Sequence, residues 1–181
     1  MKRFTLIIIL SFVALLNYAQ QVTDAEISAI RTAYSEAKQQ VELNEQAVEL
    51  NVPRGDMEVV SHYVIPGCGP TEEVIRYYFT LDEDPESGTG VYKPYLIIRN
   101  YNVAARKFYQ EFLFDKQEAI LLFFYQSNDA IDGTTDETRY YYGKQGVLQS
   151  IKGAAQMDEV FAARLADYLK TAFNHLMNCD Y

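Results

Sequence analysis

Apolar positions along this chain change period twice. Ile27, Ile30, Tyr34, Ala37, Val41, Asn44 and Val48 recur at steps of three and four, which predicts one amphipathic helix ending before Asn51-Val52-Pro53. Thr23-Asp24-Ala25-Glu26 ahead of it has capping-box spacing. From Met57 to Lys152 the period falls to two, and three hairpins are predicted after a first strand at Met57–Ile65. They pair 73–81 with 91–101, 106–114 with 119–126, and 137–142 with 147–152. Pro94 cannot donate to a ladder, so its strand is expected at an edge or a bulge. A helical period returns at Met157, Phe161, Leu165, Tyr168, Leu169, Ala172 and Leu176. Consecutive strands between terminal helices read as an α+β fold: an N-terminal helix, a six- or seven-stranded antiparallel meander, and a C-terminal helix packed on one sheet face.

Hairpin register divides the strand residues between two faces. Ile75, Tyr77, Phe79, Phe108, Phe112, Phe114, Leu121, Phe123, Tyr140, Tyr142, Val147 and Ile151 form an almost wholly apolar face, expected to lie under both helices as core. The opposite face carries Arg76, Tyr78, Tyr109, Glu111, Leu113, Ile120, Leu122, Phe124, Arg139, Tyr141 and Leu148. Three readings stand for it: a half-buried sheet with wet tips, a binding surface, or a self-association face. Arg76, Glu111 and Arg139 sit at equivalent hairpin positions, which suggests a cross-strand ion ladder. The second and third hairpins also repeat at an offset of about 28 residues, with Lys-Gln in both turns, and this is a structural repeat.

Composition and charge add location. Lys2 and Arg3 precede the apolar run Phe4–Leu16, and Asn17-Tyr18-Ala19 follows it, so residues 1–19 read as a secretory signal ahead of a single domain over 20–181. A run of thirteen residues, interrupted by Thr5 and Ser11, is too short to span a bilayer, which takes about 20 apolar residues, so no membrane span is expected after cleavage. The net charge of −9 becomes more negative once Lys2 and Arg3 are removed, and nucleic acid is not an expected partner. In an oxidising compartment, Cys68 and Cys179 form a candidate disulfide, with two separate buried thiols as the alternative.

Catalytic chemistry leaves no comparable trace. His62 and His175 are the two histidines, no zinc-type spacing or serine-nucleophile elbow occurs, and neither metal, cofactor nor catalytic residue is assigned. Asp129, Asp132, Asp136 and Glu137 lack the spacing of an EF-hand.

Pro66-Gly67-Cys68-Gly69-Pro70, the run Ala104–Asp115, Phe123-Phe124-Tyr125 and Arg139-Tyr140-Tyr141-Tyr142 give the body a family resemblance. It resembles small exported proteins of unknown function from Bacteroidota, as does Tyr18-Ala19-Gln20-Gln21 at the cut. That resemblance implies a periplasmic or secreted location and carries no activity. The expected function is a non-enzymatic binding module for a protein, small-molecule or glycan ligand, using Arg76, Tyr78, Tyr109, Glu111, Arg139 and Tyr141. The alternatives are a small envelope hydrolase with carboxylate or Cys68 chemistry, and a structural envelope component.

Overall fold

The structure is a computed structural model that describes residues 2–49, 55–83, 90–129, 133–144, 146–153 and 158–178, with the side chains of the first helix described over 23–46. Helix α1 spans Lys2–Glu49. Seven strands follow: β1 Asp56–Ile65, β2 Gly69–Glu83, β3 Gly90–Val103, β4 Arg106–Phe114, β5 Ile120–Asp129, β6 Thr135–Gly143 and β7 Gly146–Lys152. Helix α2, Glu159–Met177, ends the described chain. Strand order in the sheet is chain order, β1 to β7, with every neighbouring pair antiparallel. Among the described residues, no helix is long and apolar enough to cross a membrane.

The expected start of α1 is corrected: the helix does not begin at Thr23 but runs unbroken from Lys2. The Leu, Ile and Ala residues upstream are compatible with a helix and contain no breaker. The face of α1 agrees with the periodicity, since Ile27, Ile30, Ala37 and Val41 are all buried.

A second correction concerns the layers, because the two helices lie on opposite faces of the sheet. Helix α2 packs on Tyr77, Phe79, Ile97, Phe112, Phe123 and Tyr140. Helix α1 packs on Tyr78, Leu96, Ile98, Leu113, Leu122 and Tyr141. The register explains why both faces need a cover. Tyr78, Leu96, Leu113, Leu122 and Tyr141 are successive cross-strand partners, so the second face carries its own continuous apolar row. Left open, that row would place five large side chains in water.

The face that α2 turns inward also differs from the expected stripe. Ala162, Ala166, Leu169 and Phe173 are buried, whereas Phe161, Tyr168 and Leu176 are 54%, 69% and 57% exposed. Size overrides hydrophobicity here. The sheet face beneath α2 is already filled with aromatic rings, so the helix approaches through small residues and inserts one ring of its own. Phe173 meets Tyr77 and Phe79 at centroid distances of 5.4 and 5.3 Å. Asp158 caps α2 by accepting from Val160 N at 2.7 Å and Phe161 N at 3.1 Å. At the other end Asn178 both accepts from Tyr92 N (2.9 Å) and donates to Tyr92 O (2.8 Å), which fastens the helix to β3. Replacing Ala166 by Leu should overfill this contact and destabilise the protein by about 1–3 kcal/mol in denaturant titration. An unchanged midpoint would contradict this packing.

Each of the three hairpins carries one register shift, at matching places. Phe79 pairs with Pro94 while Tyr78 pairs with Leu96, leaving Tyr95 extra. Phe114 pairs with Ile120 while Leu113 pairs with Leu122, leaving Leu121 extra. Tyr142 pairs with Val147 while Tyr141 pairs with Gln149, leaving Leu148 extra. An inserted residue exchanges the faces of what lies beyond it. Hence Leu121 packs with the α1 cluster and Ile120 with the α2 cluster, the reverse of expectation. Ile151, expected in the core, is paired opposite Arg139 and is 45% exposed. The Pro94 strand is the third of seven and meets the bulge there, as its missing N–H requires.

Candidate functional site

Three features flank or underlie α1 on its side of the sheet. The first is a groove floored by the three bulges. Because each bulge adds an inward residue at the same end of the sheet, Tyr95, Leu121 and Leu148 all join the α1 cluster. Tyr95 and Leu121 line a cavity of about 630 Å³ whose α1 wall includes Ala33, Ala37 and Gln40. A further 230 Å³, lined by Leu121, Leu148, Ala29 and Ile30, continues it along the helix, and Asp115 and Leu121 border both parts. The floor is apolar, while Glu36, Gln40, Asn44, Thr80, Asp115 and Lys116 add polar groups to the lining. The Tyr95 hydroxyl is buried in this region, with the Asn44 side chain as its polar partner. Burial first, and the neighbouring Tyr78 second, push the Tyr95 hydroxyl up to about 12. Asp115 is occupied with its own turn, accepting from Gln117 N and Ala119 N at 2.9 Å each.

The second feature is a buried carboxylate beneath the helix. Glu111 is 1% exposed. The hydroxyls of Tyr34 and Tyr109 both donate to it, and Lys38 Nζ donates to Oε1 at 2.8 Å. A carboxylate placed this deep costs several kcal/mol unless hydrogen bonds replace its water. Three donors, two of them from α1, supply that replacement. Burial, and then the bond to Glu111, raise both tyrosine hydroxyls above the ordinary tyrosine range. Held by three donors and shut off from solvent, Glu111 fastens α1 to β4.

The third feature is a small notch on the opposite flank of α1, about 170 Å³ in volume, between Arg31 and Tyr34 of the helix and Leu122, Phe124, Arg139 and Tyr141 of the sheet. The Arg31 guanidinium lies 5.4 Å from the Tyr141 ring centre and that of Arg139 lies 5.0 Å from the Phe124 ring centre.

The six expected site residues therefore separate. Tyr109 and Glu111 belong to the buried cluster, while Arg139 and Tyr141 border the notch. Tyr78 is 3% exposed under α1. Arg76 is ion-paired with Glu58 at 2.6 Å near the sheet edge. The expected ion ladder does not form. Arg76, Ile98, Glu111, Phe124 and Arg139 are successive partners across one row, so an apolar residue separates each charge from the next. Arg31, Lys38 and Tyr95 were not singled out from sequence, and Asn44 was placed only on the inner stripe of the helix. Arg31, Tyr34 and Lys38 do fall at steps of three and four, which was the available signal.

Cys68 is exposed in the turn between β1 and β2, and Cys179 lies outside the described residues, as does their pairing. Among the described residues, no three of His, Cys, Asp and Glu converge as metal ligands would. The fold and its flanking cavities define an open antiparallel sheet with one helix on each face. Compared with known proteins, the chain matches no family model, no curated protein and no solved structure.

Proposed function

We propose that this chain is an exported, non-enzymatic binding module that receives a small, largely apolar ligand in the groove between α1 and the bulged ends of the hairpins. The observation that carries this reading is the 630 Å³ cavity, which is large enough for a small organic ligand and floored by Tyr95 and Leu121. The Tyr95 hydroxyl and the Asn44 amide beside it give such a ligand a polar anchor. The tyrosine-rich face thus binds along the flank of its covering helix instead of as an open sheet. Export to the periplasm or medium belongs to the same proposal and rests on Lys2-Arg3 and the apolar run behind them.

A fluorescence titration with 1-anilinonaphthalene-8-sulfonate tests the groove. One saturable site is expected on the native protein. Gln40→Trp fills the cavity from an exposed helix position and should weaken that binding by about tenfold or more. Equal binding by a folded Gln40→Trp variant would move the site elsewhere.

A further inference from the structure

We propose that the notch bordered by Arg31 and Arg139 is a binding site for the carboxylate of a small organic acid. It stands apart from the groove, because Arg31 and Tyr34 lie on the flank of α1 opposite Ala33, Gln40 and Asn44.

The charge arrangement points to an anion. Elsewhere on the sheet, arginines hold carboxylates of the chain itself: Arg76 with Glu58, Arg99 with Glu73, and Arg106 with Asp129. Arg31 pairs with no carboxylate among the described residues and rests on the Tyr141 ring instead. Arg139 touches Glu137 only through Nη2, at 3.3 Å, in a partly exposed pair of small energetic weight. Its Nε is buried and has no acceptor. A buried donor left unpaired is unfavourable, and an incoming oxyanion satisfies it. Two guanidiniums border one small volume, and a guanidinium is the side chain whose N–H fork suits a planar carboxylate.

The rest of the notch fixes the size and character of the stem. A volume of 170 Å³ accommodates a compact group, equivalent to about five or six water molecules at liquid density. Leu122, Phe124 and Tyr141 supply apolar walls, so a short ring or aliphatic stem fits better than a polyhydroxylated one. With a net charge of −9 the protein offers anions no general attraction, so uptake depends on these two side chains.

Side-chain NMR of the arginine Nε–H groups on the full chain, titrated with sodium benzoate, tests the proposal. Benzoate should shift the Arg31 and Arg139 signals together and saturably, and added sodium chloride should weaken the effect. Benzamide, of the same shape without charge, should move neither. Arg31→Gln, at an exposed helix position that leaves the sheet intact, should lower benzoate affinity by about tenfold or more. Arg76→Gln, at an arginine outside the notch, should leave it unchanged. Absence of saturation, equal shifts with benzamide, or full affinity in Arg31→Gln would overturn the site. Saturation by sodium sulfate with none by benzoate would also overturn it, as an inorganic-oxyanion site.

Discussion

Between about pH 10 and about pH 12 the protein is expected to unfold in one cooperative transition, taking its buried tyrosines with it. The chain has 15 tyrosines and no tryptophan. Tyr77, 2% exposed, is pushed up to about 12 from the ordinary tyrosine value of 10.0, first by burial and then by Tyr168. Tyr34, Tyr109 and Tyr142 are raised further, again chiefly by burial. A hydroxyl with a raised value keeps its proton in the folded state after the unfolded chain has released it. Its stabilisation is therefore complete below about pH 10 and is lost as the pH climbs toward the folded value. A tenfold change in proton affinity corresponds to about 1.4 kcal/mol, so Tyr77 alone accounts for about 2–3 kcal/mol by pH 12. Total stabilities lie near 5–15 kcal/mol, and a few such groups exhaust them. Near-ultraviolet tyrosinate absorbance followed together with far-ultraviolet circular dichroism reads both events. Coincident, steep transitions are expected. Gradual ionisation near pH 10 with unchanged secondary structure would show that burial does not hold these protons in place.

Removing Glu111 is expected to be the most damaging change to a polar residue in this protein. Glu111→Ala leaves the Tyr34 and Tyr109 hydroxyls buried without their acceptor, at about 1–3 kcal/mol each. Lys38 is 38% exposed and turns to solvent at little cost. The sum is about 3 kcal/mol, which for a chain of this length lowers the melting temperature by about 6–12 °C. The loss should be read by calorimetry on Glu111→Ala beside Tyr34→Phe and Tyr109→Phe. If the carboxylate acts through those hydroxyls, the phenylalanine variants lose less, and adding them to Glu111→Ala recovers part of the deficit. Full additivity would show that the three groups act independently.

These residues also mark where sequence reasoning worked and where it stopped. Strand positions were legible because alternation and turn residues set the hairpins, and all seven predicted strands form. The face of α1 was legible for the same reason, its burial period being close to that of an ideal helix. Pro94 signalled the bulge in its own strand, but those at Leu121 and Leu148 were hidden, since one extra residue alters neither composition nor length noticeably, yet it reversed Ile120 and Leu121 and moved Ile151 outward. The inner face of α2 was hidden because hydrophobicity ranks Phe161 above Ala162, whereas the available space ranks them the other way. The notch and the buried cluster join α1 to strands far along the chain, and such pairings have no local signal.

That distance sets an order of events for a chain whose sheet neighbours are all chain neighbours. Strand pairing closes only short loops, and short loops form quickly at low entropic cost. The first helix is different: Tyr34 and Glu111 are 77 residues apart. A polypeptide emerging amino end first must therefore carry the apolar side of α1 uncovered until β4 to β6 have been laid down. Helix α1 waits longest to be housed, and for that interval it offers a natural foothold to whatever escort keeps an unfinished chain from aggregating.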